Sequence, residues 1–293
     1  MPILNSQFSI LNYFSLVKFA HTIFAMPFAL IGYFLGVLYA GVGFHWDTLL
    51  LVILCMVFAR NAAMGFNRYA DRVIDAKNPR TGKREIPSGI IKPWAALGFV
   101  VVNAIAFVVT CRFLNLLVFY LSPVALLVVL GYSFTKKYTA LCHFILGAGL
   151  SLAPIGAYLA VTGTFAWLPL MFSFVVLLWS GGFDIIYALQ DKDFDIRERL
   201  YSIPAWIGIR RALKVSATVH IAAGILVVVI NFMGDFFIWY SIGSSIFLGL
   251  LLYQHLIIKP DDLSRVNAAF FTSNGIASVV LATFTIIDLF CCV

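Results

Sequence analysis

The chain has 293 residues, 62% of them hydrophobic and only 11% charged, with a formal net charge of +7 and a mean hydropathy of +0.99. A soluble domain carries about 25% charged residues, so a water-wetted globular protein is excluded. No polar linker or low-complexity segment divides the chain, which reads as a single membrane-embedded domain over residues 1–293 with no nucleic acid among its partners.

Nine apolar stretches follow one another, each about 20 residues long, as a hydrocarbon layer of about 30 Å requires. They run roughly 17–40, 48–70, 93–112, 114–133, 141–161, 167–190, 211–231, 236–257 and 265–288. Backbone groups in lipid must be satisfied within the segment, and no alternation of period two suggests a barrel. The expectation is therefore all-α, with Pro27 and Pro154 kinking their helices. No basic segment precedes the first span, so a cleaved signal peptide is not expected.

With nine spans the loops alternate sides. Those at 71–92, 134–140, 191–210 and 258–264 hold nearly every Lys and Arg, whereas the opposite set, near 41–47, 113, 162–166 and 232–235, holds only Arg112. Basic loops stay inside. The pattern predicts a multi-pass protein of the cytoplasmic (inner) membrane, with its N-terminus and charged loops in the cytoplasm. Attraction to anionic headgroups accounts for the bases, but not for the acids among them.

Those acids form two clusters. Asn67, Asp71 and Asp75 are four residues apart and stack along one face if the second span's helix continues. Three oxygen-bearing side chains on one stripe form half a cage for a hard cation. Closing the sixth span, Asp184, Asp191 and Asp195 lie at offsets of seven and eleven, again one helical face, with Tyr187 between and Asp193 pointing to solvent. An Asp at the centre of a membrane helix costs about 2.5–3.5 kcal/mol, so Asp184, two turns deeper than the loop, should face a polar cavity. Both clusters carry D-x-x-x-D and are followed by Arg and then Ile-Pro (Ile86-Pro87, Ile203-Pro204), which hints at an internal pseudo-repeat.

Oxygen donors point to Mg²⁺, which is usually held by one or two carboxylates plus substrate phosphates. Five Cys without a C-x-x-C pair and five scattered His argue against zinc. Lys77, Arg80 and Arg84 suit a diphosphate, and an apolar wall suits the tail of a prenyl diphosphate. Lys136 and Lys137 read equally as topology anchors or diphosphate ligands, and Lys136 follows Tyr132 by one turn. His21 reads as a packing residue. Arg60, seven residues before Asn67, either lines the cavity or pairs with an acid such as Asp288.

The motifs N-x-x-x-D-x-x-x-D (Asn67–Asp75) and D-x-x-Y-x-x-x-D-x-x-x-D (Asp184–Asp195) resemble the two signatures of the UbiA-type intramembrane aromatic prenyltransferases. The likeness covers nearly the whole chain. "KFAHTIFAMPFALIG" (Lys18–Gly32) and "GYSFTKKYT" (Gly131–Thr139) look most like the 4-hydroxybenzoate polyprenyltransferase branch; Glu85 departs from the usual Arg-Pro-(Leu/Ile)-Pro pattern. The resemblance implies nine transmembrane helices in a horseshoe around a central polar cavity that opens sideways to the bilayer. It also implies Mg²⁺ bridging a diphosphate to Asn67, Asp71 and Asp75 on one side and Asp191 and Asp195 on the other. Ionisation would give an allylic cation steadied by Tyr132 and Tyr187, Asp184 or Asp191 would help deprotonate the acceptor's hydroxyl, and Lys18 would meet its carboxylate. The implied acceptor is 4-hydroxybenzoate or a related quinone precursor, with a naphthoate, homogentisate, a haem, a tetrapyrrole alcohol or a glycerol phosphate as alternatives. An ion-coupled transporter and a non-catalytic polyprenyl-lipid binder are the readings from other classes.

Overall fold

The computed structural model describes residues 10–18 and 24–292. It opens with α1 (Ile10–Leu16) and α2 (Met26–Phe34), which continues through a π turn to Tyr39. Eight helical runs among the described residues are long and apolar enough to cross a bilayer. They are α3 (Trp46–Ala70), α5 (Pro93–Leu114), α6 (Leu116–Thr135), α7 (Cys142–Thr162), α8 (Trp167–Ala188) with its extension, α11 (Ile209–Met233), α12 (Ile238–Ile257) and α13 (Asn274–Cys292) with the π turn Ala268–Ser273 before it. The α8 extension is a 3₁₀ turn at Leu189–Asp191 followed by α9 (Lys192–Arg197). Two short helices, α4 (Arg72–Lys77) and α10 (Ile203–Ile207), sit in the charged loops. Eight of the nine expected spans are thus found where the apolar runs lie. The first is a shorter apolar helix, Met26–Tyr39, and residues 19–23 of its approach, with His21, lie outside the described residues.

Punctuation follows residue chemistry. Asn115, fully extended, separates α5 from α6, its side chain accepting from the Val118 amide at 2.9 Å and donating to Leu159 O of α7 at 2.8 Å. An N-cap thereby divides what hydropathy alone nearly fuses. Asp288 on α13 caps α12, accepting from the Phe237 amide at 2.8 Å and the Tyr240 amide at 3.1 Å. Arg60 therefore has no claim on Asp288. Pro27 starts α2 and does not kink it, because a proline in the first turn lacks only an amide that would be unpaired anyway.

Successive spans pack on one another in chain order, and α2 touches both α7 and α13, bringing the two arms of the curve together. Gly32 makes the α2–α7 approach possible, since a Cβ there would lie 2.0 Å from Pro154 O. Beneath α8, Asn274 Oδ1 accepts from Trp179 Nε1 at 2.9 Å and from Gln254 Nε2 at 2.8 Å. Such buried amides tie helices together where lipid supplies no hydrophobic drive.

Candidate active site

The first acidic stripe survives a helix break. α3 ends at Ala70 and α4 begins at Arg72, yet the Asp71 amide still reaches Asn67 O at 3.0 Å and the Asp75 amide reaches Asp71 O at 2.7 Å. Asn67 Nδ2 donates to Asp71 Oδ2 at 3.0 Å, and Arg84 Nη1 lies 2.7 and 2.8 Å from the two oxygens of buried Asp75. Asp71 has no ion pair among the described residues. Burial, and then the Asp75 charge, push its pKa from 3.8 to about 6, against the pull of Lys137, Lys136 and Arg84.

The second cluster is not carried by one continuous helix, as the sequence suggested, but by α8, a 3₁₀ turn and α9. The 3₁₀ turn at Leu189–Asp191 winds more tightly than an α-helix, so the offsets of seven and eleven are no longer those of one continuous α-helix. The three acids find three separate partners. Asp184 Oδ2 is 2.7 Å from His143 Nδ1, while the Ile203 amide donates to His143 Nε2 at 3.2 Å. That amide claims the Nε2 lone pair, so the neutral ring carries its proton on Nδ1 and donates it to Asp184. Asp191 accepts from Asn78 Nδ2 at 3.1 Å, from Arg80 Nε at 3.0 Å and from Arg80 Nη2. Asp195 is fully buried, with Ser202 Oγ donating to Oδ2 at 2.8 Å. Lys136 Nζ lies 2.7 Å from Asp195 Oδ1, off the hydrogen-bonding direction, so that contact is ionic. Asp193 is solvated, as expected.

The loop after α4 brings the clusters together. Asn78 and Arg80, from the first cluster's side, both end on Asp191. Arg80 also donates to the Tyr187 hydroxyl at 2.8 Å and lies 5.1 Å from the centre of that ring, which stacks on Phe270. Burial works against the charges of Arg80 and Lys136, but Asp191 with Tyr187 in one case, and Asp195 with Asp191 in the other, more than offset it, and both pKa values lie above the ordinary range. Lys77 is further out, on Glu198 at 2.6 Å and largely exposed. The Lys18 side chain is exposed, and its carbonyl accepts from Arg60 Nη2 at 3.3 Å. Glu85, buried, accepts from Ser15 Oγ and ties α1 to the loop; Arg84 turns to Asp75 instead.

Beside the acids lies an apolar cavity of about 380 Å³ between α3, α5, α6 and α7, in whose wall Arg60, Ser122 and Tyr132 are the chief polar side chains. Tyr132 lies within electrostatic reach of Asp71, Asp184, Arg60 and Arg68, so the greasy space and the charged one adjoin. Two site neighbours carried no sequence signal used above. Arg68, buried next to Asn67, stood in plain view inside the polar stretch; His143 is 41 residues from Asp184, and no spacing links them.

No three His, Cys, Asp or Glu side chains among the described residues converge as a metal cage. The donors nevertheless suit Mg²⁺, which takes one or two carboxylates and completes its shell with water and phosphate. Asp71, half-buried and without an ion pair among the described residues, is the group that fits it best.

Residues 25–275 match the UbiA prenyltransferase family. A 4-hydroxybenzoate octaprenyltransferase of Burkholderia cenocepacia (strain HI2424) is 31% identical over 239 residues, covering 81% of this chain and 83% of that protein. One from Aliivibrio fischeri (strain MJ11) is 27% identical over 241 residues, 80% and 82% of the two chains. The apo structure of a UbiA homolog from Aeropyrum pernix K1 superposes with a TM-score of 0.83 at 29% identity, covering 92% of this chain and 98% of that one. The fold is also that of a UbiA homolog from Archaeoglobus fulgidus bound to GPP and Mg²⁺, with a TM-score of 0.74 at 18% identity over 95% and 99% of the chains.

Proposed function

This chain belongs to the UbiA prenyltransferase family, and we propose that it transfers a polyprenyl group from a prenyl diphosphate to the ring of a hydroxy-aromatic acid, 4-hydroxybenzoate or a related quinone precursor. One observation carries the reading: Asn78 and Arg80 hold the two acidic helix ends against each other through Asp191, with a tail-sized apolar cavity alongside. The names of the octaprenyltransferase relatives and the GPP and Mg²⁺ of the archaeal neighbour support it. An ion-coupled transporter would place its acids near the bilayer midplane, whereas Asp71, Asp75, Asp191 and Asp195 lie at helix ends.

Asn67, Asp71, Asp75 and Asp191 would hold Mg²⁺, with Asp195 the least accessible of the set. When bound, the metal supplies Lewis-acid stabilisation of charge developing on the leaving diphosphate. Arg80, Arg84 and Lys136 now neutralise the acids, and their donors are placed to turn to diphosphate oxygens once the acids take a cation. The allylic C–O bond breaks, the ring carbon ortho to the hydroxyl forms the new C–C bond, and the ring proton leaves. The faces of Tyr187 and Tyr132 steady the allylic cation, and the apolar wall keeps water from quenching it. Asp184, held as an acceptor by His143 Nδ1–H, takes the proton. Bases on the loops that carry the acids favour a site open to the cytoplasm.

The test uses purified protein with Mg²⁺, geranyl diphosphate and a panel of hydroxy-aromatic acids, with products identified by mass. A prenylated acid from wild type and none from Asp71→Ala supports the assignment. Refusal of every acid, with wild type and Asp71→Ala releasing diphosphate alike, overturns it.

A further inference from the structure

A second hollow, about 500 Å³, lies between α11 and α12 and shares no wall with the first cavity. Its residues Ile221, Ile225 and Leu252 are exposed, so it opens outward to lipid. The polar side chains that line it are His220 and His255. Gly182 of α8 makes room for the first, since a Cβ there would lie 2.3 Å from His220 Cδ2. His220 Nε2 is 3.1 Å from Trp179 O, which can only accept, so the ring carries its proton on Nε2. Its Nδ1 therefore accepts from His255 Nε2 at 2.9 Å, and His255 Nδ1 is left as an acceptor without a partner among the described residues. Such a nitrogen is costly to bury in hydrocarbon, so the pair marks the level at which the hydrocarbon gives way to the polar interface. From His220 to Val229 the apolar wall of α11 rises about 14 Å, close to one leaflet of a core about 30 Å thick.

Beyond the histidines the same face of α11 turns basic. Lys214 and Arg210 precede Ile221 by seven and eleven residues and so share its face, with Arg211 beside them. All three are exposed, and none pairs with a carboxylate among the described residues. Cations in a first turn oppose the helix dipole. The first turn of α11 holds Arg210 and Arg211, no acid, and an N-cap, Gly208, without a side-chain acceptor, while the first amides of any helix lack partners within it. Lys259, beyond His255, already lies near Asp262. The α11 bases and the open helix start call for an anion, and the wall above them calls for a chain. We propose that this hollow holds one anionic phospholipid from the leaflet on the side of the basic loops. Its phosphate rests on Arg210, Lys214 and the start of α11, and an acyl chain runs along Ile221, Ile225 and Val228. A zwitterionic lipid brings its own cation, which these bases repel. A second copy of the chain fits less well, because neither α11 nor α12 contains an acid and a symmetric contact would set bases against bases. The site is independent of the reaction.

The experiment records native mass spectra of the full chain released from detergent micelles that contain phosphatidylglycerol or phosphatidylcholine with the same acyl chains. Wild type is expected to retain one phosphatidylglycerol and no phosphatidylcholine. Arg210→Gln with Lys214→Gln should raise the phosphatidylglycerol needed for half occupancy about 30-fold, about fivefold for each base lost. Ile225→Trp, which fills the hollow and keeps the charges, should also lose the lipid. Lys92→Gln, an exposed cation of another loop, should not. Circular dichroism of each variant without added lipid checks that it is folded; if Ile225→Trp is not, Ala217→Leu takes its place. Equal retention of the two lipids, unchanged retention in the paired charge variant, or an equal loss in Lys92→Gln overturns the inference. So does retention in the filled variant, which would reduce the binding to headgroup adhesion, and so does a wild-type spectrum of two chains without lipid, which would make the hollow a contact between copies.

Discussion

The two acidic clusters share the D-x-x-x-D spacing but have opposite surroundings. At the end of α3, Asp71 is half-buried, with the Asn67 amide as its only side-chain donor among the described residues and a like charge nearby, and its pKa is pushed up. At the end of α8 every acid is already held: Asp184 by His143, Asp191 by Arg80 and Asn78, Asp195 by Lys136 and Ser202. In the first half Arg84 holds Asp75 and leaves Asp71 open to a cation, whereas in the second Asp184, Asp191 and Asp195 are all closed by bases drawn from distant parts of the chain. Equal spacing in sequence does not make equal sites; the bases decide.

Substitutions should separate the halves. Asp71→Asn is expected to lower kcat/KM by about 10³-fold, as when a main electrostatic stabiliser is lost, while raising the stability of the metal-free protein by about 1–2 kcal/mol, since an ionised, half-buried carboxylate is relieved. Turnover and chemical unfolding at pH 7 check the pair; a variant that is both inactive and less stable would erase the contrast. Asp195→Ala should destabilise by about 1–2 kcal/mol, because it empties a buried site and leaves Ser202 Oγ without its acceptor, while Lys136, one third exposed, can turn to water; thermal unfolding measures it.

Acidity comes next. The folded-state pKa of Asp71, about 6, exceeds its ordinary 3.8, so the folded protein holds this proton more tightly than the unfolded chain does. Its contribution to metal-free stability therefore falls as pH rises from about 4 to 6. A divalent cation must displace the same proton, so Mg²⁺ affinity should climb up to about tenfold per pH unit below pH 6 and flatten above it. Calorimetric titration at pH 5, 6 and 7 reads this, and a flat profile would place the metal elsewhere. Smallest of all, Lys77→Ala breaks a largely exposed pair with Glu198 and should cost about 0.2–1 kcal/mol, with turnover within about twofold; a large loss of turnover would draw Lys77 into the site.

Much of this was legible in the residues. Hydropathy placed eight long spans, and the first stripe of oxygens persisted through the helix break because the bonds from residues 71 and 75 back to 67 and 71 are kept. The second stripe was only partly legible, because nothing in the spacing announces a 3₁₀ turn at 189–191. Partner choice was invisible for a different reason. Arg80 and Asp191 are 111 residues apart, and their meeting depends on how α3 and α8 sit in the bundle, not on either local pattern. Lys18 looked like the cation for an acid because it lies on the first apolar run, but its backbone has a φ of 47°, a left-handed conformation, and its side chain is exposed. Arg60 could be placed only once its cavity was seen.

The Asp288 cap also sets an order of events during biosynthesis. Its two acceptors serve amides 51 and 48 residues earlier in the chain, so the first turn of α12 cannot be closed until α13 has followed it out of the ribosome and packed beside it. Until α13 arrives, those amides must be satisfied by headgroups or water, and docking of the final helix is what lets the preceding one settle.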